Sequence, residues 1–221
     1  KHPGPGSGGI VTITLTTSEG EDEEYFYIED KSGLIYEAQM GTIEFHIWGS
    51  RADNPERPDM MVFDLDPDVG LGLDAVRQGV HDIKEILSEL SLVSFLKTSG
   101  GKGYHVVVPL SPGATGEAVG DFSRRVAEVM EQKWPERYTS NSRKAKRQGR
   151  VFIDWLRNGR GATSIAPYSL RARPGARVSM PLDWDELESV APDRFDMEEA
   201  LERVIRPDPW DGFFECGQQI K

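Results

Sequence analysis

Phe63-Asp64-Leu65-Asp66-Pro67, set within the stretch from Met61 to Asp68, decides how this chain reads. Three apolar residues, Met61 to Phe63, lead into two aspartates separated by one leucine. In a strand, successive side chains alternate across the sheet, so Asp64 and Asp66 share one face and Leu65 takes the other. Two carboxylates about 7 Å apart along a strand repel each other and are hard to bury as neighbours. A divalent cation resolves that repulsion, and Mg²⁺ and Mn²⁺ prefer such hard oxygen ligands. Taken alone, the pair also reads as a strand end with two solvated carboxylates and a proline stop, because Asp-x-Asp is short and common.

Asp154, in Val151-Phe152-Ile153-Asp154-Trp155, ends a second strand-like run. It is the one acid between Arg137 and Arg177, a segment with eleven Lys and Arg residues. A third carboxylate from a separate strand completes a ligand set for two closely spaced divalent ions. Such ions activate a 3′-hydroxyl, bridge a triphosphate and stabilise the leaving pyrophosphate. A salt bridge from Asp154 to a local arginine is the plainer reading. Thr98-Ser99-Gly100-Gly101-Lys102-Gly103-Tyr104-His105 is a glycine-rich loop. Glycine lets backbone approach phosphates closely, Lys102 supplies charge, and Ser99 donates to a phosphate oxygen. The spacing is neither a Walker pattern nor a dinucleotide fingerprint, and a simple hairpin turn is the alternative. Downstream lie Arg157, Arg171 and Arg173; the last two, one residue apart, share a face if extended and can grip phosphates bidentately. His46 precedes the aspartate pair by one loop and by itself reads as a structural or surface histidine.

The 221 residues carry a net charge of −11, which argues at first against a nucleic-acid partner. Its distribution argues otherwise. Acids gather at 19–30 and from Asp183 onward, whereas the middle is basic, the footprint of a polyanion site. A solvated basic face is the alternative. The single cysteine, Cys216, excludes an internal disulfide framework and a cysteine-built zinc site, and fits a reducing compartment. No apolar run approaches ~20 residues, so no membrane span is expected.

Residues 1–9 read as a flexible lead-in, Ile10–Thr16 and Tyr25–Ile28 as a hairpin around a turn at 19–24, and Ser32–Met40 as a helix with Ser32 its N-cap. Thr42–Trp48 is strand-like. Leu73–Leu90 carries a helical stripe of Leu73, Val76, Val80, Ile83, Leu87 and Leu90, with Asp68 or Asp74 as cap. Val93–Lys97 and His105–Leu110 read as strands, and Glu117–Gln132 as a helix with Val119, Phe122, Val126 and Val129 inward, stopped by Pro135. Ser140–Gln148 is basic, with a helix as one reading. Arg150–Leu156 is a strand, Thr163–Ser169 is short and irregular, and Trp184–Val190 and Met197–Val204 read as short helices. Strands and helices mix without a βαβ rhythm, which implies an α+β fold around a mixed or antiparallel sheet.

Phe63–Pro67, Thr98–His105, Val151–Trp155 and Ala166-Pro-Tyr-Ser-Leu-Arg-Ala-Arg173 occur in an order and spacing that resembles the polymerase domain associated with prokaryotic ATP-dependent DNA ligase D, in the archaeo-eukaryotic primase superfamily. The resemblance runs from about Ile10 to Ile220 and implies a primase-like fold, its central sheet flanked by helices, in one catalytic domain over 1–221. It implies that Asp64, Asp66 and Asp154 are catalytic metal ligands for two ions, Mn²⁺ or Mg²⁺. It assigns Ser99, Lys102 and His105 to the incoming nucleotide's phosphates and His46 to its sugar and phosphates. Arg157 and Arg171 would support the triphosphate and metal site. Arg143, Lys144, Lys146 and Arg147 are the candidates for DNA contact.

The activity implied is addition of ribo- or deoxyribonucleotides to a 3′-hydroxyl at gaps or ends of double-stranded DNA in non-homologous end joining. The partners implied are a nucleoside triphosphate, DNA, a ligase and end-binding proteins, in the cytoplasm at the nucleoid, with no membrane. A primase that initiates strands, or a DNA-end-binding module with weak catalysis, are the alternatives; a missing carboxylate would have favoured the module, and all three are present. A metal-binding phosphatase would need a different order downstream of its aspartate. Relatives also carry a basic, aromatic N-terminal segment for a downstream 5′-phosphate, and Lys1-His2-Pro3 resembles its tail, so the expectation is a domain lacking that segment.

Overall fold

Hydroxyl and apolar residues alternate along Ile10–Thr16 (β1), which pairs antiparallel with Asp22–Ile28 (β2) from Ile10 opposite Ile28 to Thr16 opposite Asp22. The computed structural model describes residues 8–16 and 20–220, which group into two compact units, one up to Phe45 and one from His46 onward. Most of the expected lead-in, residues 1–7 with Lys1-His2-Pro3, lies outside the described residues, as does Glu19 at the start of the expected turn. The first unit also holds helix α1, Lys31–Gln39. Its cap is Asp30 rather than Ser32: the Asp30 carboxylate accepts from the backbone N–H groups of Ser32 and Gly33 at 2.7 and 3.2 Å. A charged acceptor there answers both the orphan donors and the helix dipole.

The second unit is built on a six-stranded sheet. In chain order its elements are β3 (His46–Trp48), β4 (Met60–Pro67), α2 (Leu73–Glu89), β5 (Phe95–Thr98), β6 (Tyr104–Pro109), α3 (Gly116–Lys133), β7 (Tyr138–Thr139), β8 (Val151–Asp154), β9 (Thr163–Ile165), β10 (Pro181–Leu182) and α4 (Met197–Arg203). The strand order is β10-β5-β6-β4-β8-β7, antiparallel throughout except for the parallel β7–β8 pair. β3 and β9 form a separate antiparallel ribbon. The α+β class with a mixed sheet is therefore observed.

Side-chain parity divides the sheet into two unlike faces. Met61, Phe63 and Leu65 of β4, Tyr104, Val106 and Val108 of β6, and Val151 and Ile153 of β8 lie in one apolar core. Helix α2 adds Val76, Val80, Ile83, Ile86 and Leu87, and α3 adds Val119, Val126, Ala127 and Met130. Each such side chain contributes about 1.5–3 kcal/mol when fully buried, so this layer dominates the stability. The opposite parity carries Val62 and Val107 at one end, covered by Phe95, Trp210 and Phe213. Trp210 and Phe213 stack at 4.8 Å, and the Trp210 indole donates to the Leu96 carbonyl at 2.8 Å. At its other end this face is polar.

Several local expectations shift. Neither Asp68 nor Asp74 caps α2; Gly72 holds that position without a side-chain bond, and Asp68 instead accepts from the Gly149 N–H at 2.9 Å. In α3 the inward stripe turns so that Met130 is buried and Val129 exposed, and Leu90 at the end of α2 is exposed as well. Only His46–Trp48 of the expected Thr42–Trp48 strand forms. The basic stretch Ser140–Gln148 forms a single 3₁₀ turn at Lys144–Lys146, and Trp184–Val190 likewise reduces to one at Trp184–Glu186. There a reciprocal Asp183–Glu186 capping pair closes the turn, and Arg203 holds Glu186 with two nitrogens, at 2.6 and 2.5 Å.

One polar link lies inside the helical layer. Asp82, 5% exposed on α2, accepts from the Tyr138 hydroxyl and from the Gln78 amide at 2.9 Å, with Arg137 at 3.5 Å. Removing one partner leaves a buried carboxylate short of a donor, which costs about 1–3 kcal/mol. Tyr138→Phe is expected to lower stability by about that amount in urea unfolding, with no effect on chemistry at the polar face.

Candidate active site

The polar end of the open face is a row of ionisable side chains in register. Lys97 of β5 stands opposite His105 of β6, His105 opposite Asp64 of β4, and Asp64 opposite Asp154 of β8. His105 Nε2 lies 3.5 Å from Asp64 Oδ1. Arg157, one turn past β8, spans both carboxylates, with Nη2 3.6 Å from Asp64 and Nε 3.1 Å from Asp154. It also donates to the Thr163 carbonyl of β9 at 3.3 Å. Asn158 aims it. Where β8 leaves the sheet, the Asn158 side chain accepts from the Val62 N–H at 2.7 Å and donates to the Val62 carbonyl at 2.8 Å, replacing the missing strand.

Asp66 stands apart. Its side chain is 50% exposed against 19% for Asp64, and Arg147 donates to it at 2.7 Å while stacking 4.0 Å over the Phe152 ring. Among the described residues, no three acidic, histidine or cysteine side chains are gathered as a ready metal site. The donor chemistry nevertheless suits a divalent cation. Burial alone would raise the Asp64 carboxyl, yet His105, Arg157 and Lys97 outweigh it and hold it at about 2, so it is ionised. Burial pushes Asp154 upward, and the facing Asp64 charge adds to this against Arg157. Two facing carboxylates that disfavour each other's charge are what a hard cation relieves. Burial, then the Lys97 charge, pushes the His105 imidazole down, so its ring is neutral near pH 7.

The glycine-rich loop closes one side. Ser99 Oγ accepts from the N–H groups of Gly101 and Gly103, at 3.2 and 3.3 Å. Gly103 crosses the Leu65 carbonyl so closely that a Cβ would lie 2.1 Å from that oxygen. Gly100 has φ +66°, and a Cβ there would meet the Arg171 side chain at 2.7 Å. Arg171 Nη1 donates to the Ser99 carbonyl at 2.9 Å, so the arginine lies along the loop, and Arg173 approaches Gly101. The two arginines sit on a turn, Arg173 N–H donating to the Arg171 carbonyl, rather than on the extended segment their spacing suggested. Lys102 is exposed at the loop tip.

The remaining candidates divide. Arg143, Lys144 and Lys146 are exposed on the basic loop, whereas Arg147 turns in to Asp66. His46 is exposed on the β3–β9 ribbon, opposite Ile165. Lys97 and Asn158 were missed. Lys97 read as the end of an apolar strand, although pairing Thr98 with Tyr104 across the loop places it opposite His105; Asn158 read as a turn residue, and nothing in sequence marks a side chain that substitutes for a strand.

Facing aspartates on adjacent strands, a neutral imidazole and a glycine-rich loop braced by Arg171 meet at one end of the sheet. Residues 1–210 match the family described as LigD, primase-polymerase domain. The chain belongs to that family. It is 38% identical over 197 residues to the multifunctional non-homologous end joining protein LigD of Pseudomonas aeruginosa, covering 87% of this chain and 24% of that protein. It is 31% identical over 183 residues to the bifunctional LigD of Bacillus subtilis, covering 82% and 30%. The chain thus spans about a quarter of the Pseudomonas protein. The solved polymerase domain of Mycobacterium tuberculosis ligase D in complex with DNA superposes with a TM-score of 0.87 at 30% identity, over 97% of this chain and 77% of that one.

Asn158→Ala is expected to cost about 1–3 kcal/mol in chemical unfolding, because it leaves the Val62 backbone groups unpaired. Gly103→Ala, forced against the Leu65 carbonyl, is expected to lower the melting temperature and displace the loop, read as lost amide protection at Ser99 and Gly101 by hydrogen exchange.

Proposed function

We propose that this chain is a single catalytic domain that adds nucleotides to a 3′-hydroxyl at gaps or ends of double-stranded DNA, as part of non-homologous end joining. The observation that carries the reading is the direct pairing of Asp64 with Asp154 beside Asp66, at the open end of a sheet whose glycine-rich loop and Arg171 face the same space. Asp64, Asp66 and Asp154 would hold two divalent ions, Mn²⁺ or Mg²⁺, which lower the pKa of the attacking hydroxyl and neutralise charge on the leaving pyrophosphate when bound. The protein's own part is electrostatic and positional. Asp64 stays ionised as a ligand. His105, neutral, stands beside it as a hydrogen-bond donor.

Ser99 uses its oxygen to accept two loop N–H groups, so its hydroxyl is a donor toward phosphate, and Lys102 adds an exposed charge at the tip. Arg171, already braced on Ser99, and Arg157, braced on Thr163, present guanidinium groups to the triphosphate, with His46 on the neighbouring ribbon toward the sugar. Arg143, Lys144 and Lys146 suit phosphate contacts along a DNA backbone, which fix position without reading sequence. The substrates are DNA with a ribo- or deoxyribonucleoside triphosphate, and the partners a ligase and end-binding proteins. No helix among the described residues is long and apolar enough to cross a membrane, and we place the protein in the cytoplasm at the nucleoid.

Extension of a labelled gapped duplex tests the reading. Asp64→Ala and Asp154→Ala are each expected to abolish nucleotide addition with an unchanged circular-dichroism spectrum; retained extension by either variant would sink the metal assignment. EDTA is expected to stop the reaction and Mn²⁺ or Mg²⁺ to restore it, the two restored rates ranking the metals. Arg171→Ala is expected to raise the nucleotide KM about tenfold, since it removes a charge-assisted phosphate contact, while leaving duplex affinity unchanged. An unaltered KM would count against that role.

A further inference from the structure

Lys97 is a charged side chain of the row to which the proposed function gives no role toward substrate. It is 1% exposed and among the largest fully buried side chains of the protein. An apolar residue would fill its place in β5 at less cost, because a buried ammonium gives up its hydration. Its parity is that of the active row, opposite His105 and one residue before the glycine-rich loop begins.

The ammonium is also anchored at a joint. Lys97 Nζ donates to Ser179 Oγ at 2.6 Å, and that hydroxyl donates to the Thr98 carbonyl at 2.8 Å. Through its backbone, Ser179 donates to the Ser169 carbonyl at 2.9 Å and accepts from the Tyr168 N–H at 2.6 Å. The Met180 N–H donates to Thr98 Oγ1 at 2.8 Å. The joint therefore ties the root of the glycine-rich loop to the segment that carries Arg171, and Arg171 returns to the loop at Ser99.

We propose that Lys97 is a positioning residue that acts on substrate through the glycine-rich loop, its buried charge standing beneath the loop and strengthening the hold on the phosphates of an incoming nucleoside triphosphate. This rests on the nucleotide-site reading above. Ser179 is a neutral acceptor, so the anchor leaves the positive charge in place. Burial pushes the group down to about 7, with Asp64 drawing it up and the nearby Arg171 charge pushing it down, so an arriving polyanion favours its charged form. Water screens a charge at such depth weakly, so it acts across the thin loop at greater strength than Lys102 at the tip. The charge, beyond the anchor, is the claim.

Two variants separate them. Lys97→Gln keeps a donor for Ser179 and removes the charge; Lys97→Met fills similar space and removes both. Fluorescent ATP and AMP are titrated against the full chain of each variant and of wild type, and the KM and kcat for ATP are measured on a gapped duplex. Both variants are expected to weaken ATP binding and raise KM about tenfold, to weaken AMP binding about threefold or less, and to leave kcat within about threefold, as loss of a charge acting on phosphates predicts. Lys97→Gln that binds ATP like wild type would reduce Lys97 to an anchor and overturn the proposal. Equal losses for ATP and AMP would overturn it also, as collapse of the loop. Wild-type protein that binds no ATP would overturn the nucleotide-site reading itself.

Discussion

Asp64 and Asp154 face each other across neighbouring antiparallel strands, a pairing of like charges that destabilises a sheet unless something stands between them. Arg157 does so in the protein alone, reaching both carboxylates from the turn after β8. The rest of the unit is arranged to keep that opposition in place. The apolar layer of α2 and α3 holds β4 rigid from behind, Asn158 completes the hydrogen bonding of β4 where β8 departs, and His105 flanks Asp64 from β6.

The same sheet thus does two unlike jobs because its side chains alternate. One parity is a continuous apolar layer. The other begins as an aromatic seal of Phe95, Trp210 and Phe213 and ends as the row Lys97, His105, Asp64, Asp154. Along this row Lys97 and His105 are buried while Asp64 and Asp154 are partly exposed, so their charges interact across a low-dielectric wall with little screening. The glycine-rich loop meets this row because Gly103 can lie against the Leu65 carbonyl, a contact no side chain would allow.

Electrostatic balance also explains the arginines. Arg147 read as one of four basic residues on a DNA-facing stretch, but Phe152 and Asp66 draw it inward, and only Arg143, Lys144 and Lys146 stay exposed. Arg171 read as half of an extended pair; a turn lays it along the loop instead. In both cases a short-range partner outside the segment set the direction of a long, flexible side chain.

The sequence by itself determined the strands that carry Asp64, Asp66 and Asp154, the inward stripe of α2, the loop Thr98–His105 and the α+β class, because two-residue and helical periodicities act locally and are written in consecutive residues. Four motifs in order were enough to name the family. Tertiary structure alone decided which charges face one another. Strand order put Lys97 in line with His105 and Asp64, turned Asp66 to Arg147, and made Asn158 a substitute for a strand. Those contacts join residues up to 96 positions apart, as for Val62 and Asn158, and no local pattern encodes which distant strand will lie alongside.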